Sequence, residues 1–331
     1  MTKRKVLVVD WSANSKPKTG ADSIWIGDAC GNRVNPPTRL EAIRFLQDVV
    51  EREGDEEKWL IAFDFSFGVP WWDGRTDGGG LKFWEKVCKY FPEFDQEFFD
   101  LNNKAAKGRW EVANSLNRND FKQKNFWGCP EDREKELDDL SSTKGDQKKI
   151  PDETRFTDTY GAKSPWQLLG AGSVGSQMLM GICHLQRWLL EREWRKDISV
   201  WPFEDSHKRI VFAETFPSHK IFKGLIDQIN NHRCGLVKDA VQVTAVARCL
   251  EDALLDEDAW GLDEVRDKVE KEGLILTPEE KLLRTSWSTA ELNKLFLGPD
   301  EGPCKWIGLL KEVSKKIESE ASKKKENPPE Q

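Results

Sequence analysis

The sequence predicts an α/β protein: a mixed sheet interrupted by a large, mostly helical insertion. Three observations carry that prediction. The runs KVLVVD and LIAFD each read as a buried strand that stops at a carboxylate, Asp10 and Asp64. Between them lie two more short strands and one amphipathic helix. A further clear strand, RIVFAETF at 209–216, follows only after a long stretch of different character and leads into two helices.

Each element has a local reason. Residues 5–11 are aliphatic and β-branched, as a buried strand requires. A polar loop from Ser12 to Gly20 follows. Residues 23–29 read as a second strand, Gly31–Asn32 as a turn, and 33–35 as a third strand completing a meander. Thr38 with Glu41 three residues on has capping-box spacing, and Leu40, Ile43, Leu46, Val49 and Val50 recur at helical period. Residues 58–65 return to a buried strand, and Ser66 to Pro70 turn away from it.

The domain organisation follows. Residues 1–70 and 209–255 form the core, 71–208 the insertion, and 256–331 a charged, helical C-terminal extension with a frayed tail. The insertion includes an acidic segment, 131–153, that reads as a solvated loop, and a long apolar helix near 174–195.

Composition excludes several classes. The 331 residues suffice for one large or two small domains. No apolar run approaches the ~18 residues of a membrane span, and MTKRKVLVVDW is no secretory signal. Seven scattered cysteines without a C-x-x-C pair argue against a disulfide framework or zinc ribbon, so a reducing, cytoplasmic setting is expected. A net charge of −7 means that any nucleic-acid binding needs a local basic surface.

Chemistry concentrates at the strand ends. VVD-W-S at 8–12 and AFD-F-S at 62–66 echo each other. A carboxylate directly after a buried run is costly unless it is paired or metal-bound. On adjacent strands two such acids lie about 4.8 Å apart and repel, which a divalent cation relieves. Glu214 sits in another buried strand, and Asp239 in the first turn of an apolar helix. For any one of these acids, a turn, cap or helix-dipole role is the simpler reading. Together the four suggest a shared site, and oxygen-only ligands favour Mg2+ or Mn2+.

The order strand-strand-strand-helix-strand, then strand and helix, with acids on the first strand, the fourth strand and a late helix, resembles the ribonuclease H-like fold. The segments VVDWS, AFDFSFGVP, FAETFPS and KDAVQVTAVA are similar to an uncharacterised ribonuclease-H-like family of predicted nucleases. DWSANSKPKTGADSIWIG and KSPWQLLGAGSVGSQ are also similar to bacterial proteins labelled as cobalamin or molybdopterin cofactor biosynthesis proteins. The resemblance spans roughly 5–70 and 155–250. It implies a two-metal phosphodiesterase with Asp10 as the bridging acid, Asp64 as the adjacent ligand and Asp239 as the late-helix ligand. It implies a catalytic place for Glu214 too, although Glu214 departs from the helix glutamate of ribonuclease H itself.

Substrate candidates come from three places. Ser12 and Ser66 follow the strand acids. Residues 102–127 carry net +4 with interleaved aromatics, among them Lys104, Lys107, Arg109 and Trp110, a composition that suits single-stranded nucleic acid. A solvated cationic helix face is the plainer reading of that run. Arg155, Lys163 and Gln167 precede the glycine-rich turn, and Ser173 lies within it. That turn, Gly170 to Gly175, fits G-x-G-x-x-G, yet no buried strand precedes it, so a tight turn packing a helix against the site is expected rather than a dinucleotide fold. The strand ending Asp10-Trp11-Ser12 lacks the glycine of a kinase-type phosphate loop. His184 reads as a packed core residue. The function expected is metal-dependent cleavage of nucleic-acid phosphodiesters. The alternatives are an inactive ribonuclease-H-like binding protein, or an enzyme of nucleotides or phosphorylated small molecules.

Overall fold

The computed structural model describes residues 4–72, 77–91, 103, 108–144, 154–155, 158, 161–170, 173–232, 236–253 and 302–326. The protein is mixed α/β. Its strands are Lys5–Asp10 (β1), Trp25–Asp28 (β2), Arg33–Val34 (β3), Trp59–Phe63 (β4), Ile198–Val200 (β5) and Ile210–Glu214 (β6). They form one sheet in the order β3-β2-β1-β4-β6-β5. β2 pairs antiparallel with β1 and β3, while β1, β4, β6 and β5 run parallel.

The strands are aliphatic on both faces because both are covered. Leu7, Val9, Ile61, Phe63, Ile210 and Phe212 face one core, and Val6, Val8, Leu60, Ala62, Val211 and Ala213 face the other. The first core lies under Arg39–Arg52 (α1), Gly80–Tyr90 (α2), Arg109–Ser115 (α3) and Gly175–Leu190 (α5). The second lies under Lys223–His232 (α7) and Lys238–Ala253 (α8). Two single-turn helices, Glu131–Glu134 (α4) and Arg192–Arg195 (α6), and a π-helical turn, Leu116–Phe121, also lie in the insertion.

Thr38 caps α1 as the spacing predicts, with Glu41 engaging the Thr38 hydroxyl instead of its backbone N–H. Thr38 Oγ1 accepts from the Glu41 N–H at 3.2 Å and donates to Glu41 Oε2 at 2.7 Å. Gly27 explains how α8 comes so close to β2: a Cβ there would meet Val243 Cγ2 at 2.8 Å.

Three expectations need correction. Residues 198–200, assigned to the helical insertion, are a sheet strand. Three residues between helical segments carry too little period for a strand signal. The acidic segment is not wholly solvated, since Leu137 and Leu140 are buried in the first core; residues 145–153 lie outside the described residues. At the C-terminus, the chain expected to fray is helical as far as Glu326, within Gly302–Glu326 (α9). That helix packs on α1 and β3 through Trp306, Leu309, Val313 and Ile317, and Trp306 meets Phe45 edge-on at 5.2 Å. Residues 256–301 lie outside the described residues.

The abundant aromatics have a packing role. Trp11, Trp84, Trp166 and Trp188 are among the largest fully buried side chains. Ring contacts, edge-to-face at the two ends and tilted between, run from Trp11 through Phe63, Phe65 and Phe67 to Trp84.

Candidate active site

Strand parity decides which acids meet. In β1 the even residues face α8, so Asp10 follows Val6 and Val8 to that side. In β4 Leu60 and Ala62 face α8, and Asp64, one residue past the strand, continues the alternation. Its N–H donates to Val9 O at 2.9 Å, so the ladder extends to it. Asp239 enters from the first turn of α8. The three carboxylates line one cavity at the C-terminal ends of the parallel strands, where open α/β sheets bind ligands.

Their electrostatics are strained. Burial pushes Asp64 up to about 7, and the charges of Glu214 and Asp239 add to that. Asp10 is raised well above the usual carboxylate range by burial and then by Asp64 and Asp239. Lys238 opposes both shifts. This donor set fits a hard divalent cation chemically: three carboxylates, mutual repulsion and no neutral donor required. The side chains are not drawn together as ligands, and among the described residues no group of three or more donors stands in metal-holding position. Asp239 shows why, because its Oδ2 accepts from the Asp22 N–H at 2.8 Å and is turned to the β1–β2 loop.

The cavity has a volume of about 430 Å³. Of the residues singled out in the sequence, Ser12, Arg109 and Ser173 line it beside the three acids. Ser176, beside Ser173 at the start of α5, lines it too, and Asn14, Asp22, Ser23, Gln177 and Gln242 also line it and were missed. Gln177 carried a weak signal in hindsight, one turn into the helix after the glycine-rich segment. Its Nε2 donates to Trp11 O at 2.8 Å and ties α5 to the end of β1.

The glycine-rich turn is a packing device. Gly170 has φ +100°, and a Cβ on Gly175 would stand 2.4 Å from Pro165 O and 2.9 Å from Gln167 O. α5 can start at this wall of the cavity only because residue 175 has no side chain. Gly175→Ala is therefore expected to cost about 1–3 kcal/mol. It should also loosen Ser173 and Gln177, seen as a lower urea midpoint and faster amide exchange at the start of α5.

Glu214 is not part of the acid cluster. It pairs in register with Phe63, not Asp64, so it points to the opposite face. There it is 2 % exposed and bound by Arg155, whose Nη1 and Nη2 donate to its two oxygens at 2.6 and 2.5 Å. Its Oε2 also accepts from the Phe67 N–H at 3.0 Å. Asp158 holds the other side of the guanidinium at 2.6 Å. Burial alone would lower the Arg155 pKa, and the two carboxylates more than reverse that. Arg155 is thus a buried ion-pair centre and does not line the cavity.

The other candidates separate by burial and position. Ser66 is buried in the turn after β4, and Trp110 is in the core. Lys163 is exposed, and Gln167 donates to Leu169 O at 2.9 Å; neither lines the cavity. Lys104 and Lys107 lie outside the described residues. Of the aromatics that suggested base stacking, Trp110, Phe121 and Phe126 are core residues, the last two packing on Trp166 at 5.3 and 5.0 Å, and Trp127 is partly buried against the core. His184 is fully enclosed, bonds Met180 O at 2.7 Å and is pushed well down by burial.

Among the described residues no helix is long and apolar enough to cross a membrane. No protein-family model matches the chain, and no curated protein or solved structure is significantly similar to it.

Proposed function

We propose that the chain is a metal-dependent phosphoester hydrolase with a ribonuclease H-like core, acting on phosphodiesters of nucleic acid or nucleotides. The observation that carries this reading is the convergence of Asp10, Asp64 and Asp239 on one cavity at the strand ends. The antiparallel β3-β2-β1 meander continued by parallel β4 supports the core assignment. The edge strand β5, which precedes its neighbour β6 in the chain, is a departure from that core.

In this reading Asp10, Asp64 and Asp239 would hold the Mg2+ or Mn2+ ions. Bound there, the metal would activate a water and stabilise the leaving oxygen. Lys238 moderates the negative charge of the empty cluster. Glu214 acts as a positioning residue: through the Phe67 N–H it fixes the turn that carries Asp64.

The test is Mn2+-dependent cleavage of labelled single- and double-stranded DNA and RNA, and of bis(4-nitrophenyl) phosphate. Asp10→Asn and Asp64→Asn are each expected to lower turnover at least about 100-fold, a loss of about 3 kcal/mol of transition-state stabilisation. If the wild type cleaves nothing and binds no Mn2+ by calorimetry, the hydrolase reading falls and an inactive binding protein replaces it.

A further inference from the structure

Resting on the hydrolase reading, we propose that the cavity takes one phosphodiester unit at a time, from a single-strand end or a free dinucleotide, and that Arg109 holds its phosphate. The first ground is size. A cavity of about 430 Å³ is in the range that encloses a small molecule. Leu168, Leu169 and Ser173 wall it on the insertion side, and Asn14, Asp22 and Ser23 on the sheet side. Asp10 shares the lining with both sets of residues.

The second ground is charge. Four aspartates line the cavity, and Arg109 is the one basic residue among the described lining residues. A groove that tracks a strand needs successive cations and exposed ring faces. Here Arg118 is engaged by Asp138 and Asp139, and Lys86 by Asp120. Of the rings in residues 102–127, Trp110, Phe121 and Phe126 are buried, and Trp127 is partly buried against the core. Among the described lining residues the basic charge matches one phosphate.

The third ground is how Arg109 is held. Its guanidinium carbon lies 4.0 Å from the centre of the Trp110 ring, and Trp110 is itself fixed in the core. A planar fork held on a ring suits a phosphate in a way that a flexible lysine does not. Burial lowers its pKa to about 10, partly offset by Glu111, which leaves it cationic at neutral pH. In the reaction the oxygen of water bonds to phosphorus and the bridging P–O bond breaks. The proton given up by water is balanced by one taken up on the leaving oxygen.

The test uses the full chain with Mn2+ on four substrates: a linear single strand, the same strand closed into a circle, a blunt duplex and a dinucleotide. The linear strand should be trimmed to mononucleotides and the dinucleotide split. Circle and duplex should react at least about 100-fold more slowly, as expected when no end can enter the cavity. Cleavage of the dinucleotide alone also supports the proposal and names the free molecule as its source. A circle cut as fast as the linear strand overturns it while leaving the hydrolase reading intact. No cleavage of any substrate, bis(4-nitrophenyl) phosphate included, overturns both. Arg109→Ala should raise KM and weaken AMP binding about 10-fold, with kcat and Mn2+ affinity little changed. Arg109→Lys should recover part of the KM. Equal losses in kcat, Mn2+ affinity and melting temperature would show a structural role for Arg109 instead, and would overturn the phosphate assignment.

Discussion

Replacing Arg155 by methionine is expected to cost about 3–5 kcal/mol of folding stability, the range seen when one partner of a buried ion pair is removed. The side chains of Arg155, Asp158 and Glu214 are 0 %, 1 % and 3 % exposed. Methionine preserves most of the volume but leaves two carboxylates enclosed without a counter-charge. Against a typical total of about 5–15 kcal/mol, the loss is large. The urea midpoint should fall in proportion, with little change in slope. The triple replacement Arg155→Met, Asp158→Asn, Glu214→Gln should lose less than Arg155→Met alone, because it removes the unpaired charges together with the pair. If the single and triple variants are equally destabilised, the cost lies in packing and not in charge. The network also joins the insertion to the turn beside Asp64 through the Phe67 N–H. Glu214→Gln should therefore weaken Mn2+ binding moderately while retaining the fold.

The second large effect is a stabilisation. Asp64 has a folded-state pKa of about 7 against an ordinary value of 3.8, caused first by burial and then by Glu214 and Asp239. The folded protein therefore holds a proton that the unfolded chain has released across that window. Stability is fully present below about pH 4 and is lost as pH rises toward 7, by up to about 1.4 kcal/mol per pH unit. Asp10 and Asp64 interact, so the loss belongs to the pair. Asp64→Asn removes the charge that must be buried. It is expected to be more stable than the wild type by about 2–4 kcal/mol at pH 8, and equal to it near pH 4. Thermal melts at the two pH values check this. Identical pH profiles for the two proteins would contradict it. Under the hydrolase reading, Mn2+ should restore the wild type at pH 8 and not the variant, since a ligand stabilises only the state it binds. Greater stability with lost function is the usual mark of a site held under electrostatic strain.

Much of this architecture was legible because its signals are local. The Thr38 cap and its Glu41 partner lie within four residues, so spacing alone revealed them. The strands ending at Asp10 and Asp64 announced themselves by polarity, because a charge after a buried run has few explanations. The glycine-rich turn was legible as a packing turn because the strand needed for a dinucleotide fold was missing. β5 was not legible, since three residues carry almost no period. The base-stacking reading of 102–127 failed for a different reason. A tryptophan or phenylalanine beside lysines suits a core as well as a nucleobase, and only the contacts of Phe121 and Phe126 with Trp166 decide between them.

Glu214 marks the boundary between the two kinds of knowledge. By itself the sequence determined that Asp10, Asp64, Glu214 and Asp239 each sit at or near a buried element and need a partner. It did not determine which of them share a partner. Strands buried on both faces show no alternation, so their register is invisible in the chain. Only the pairing of Phe63 with Glu214 placed that acid one residue out of step with Asp64. In a structure with a period of two, one residue is the whole difference between the cavity and the opposite core. Asp10, Asp64 and Asp239 went to the first and Glu214 to the second, where Arg155 meets it.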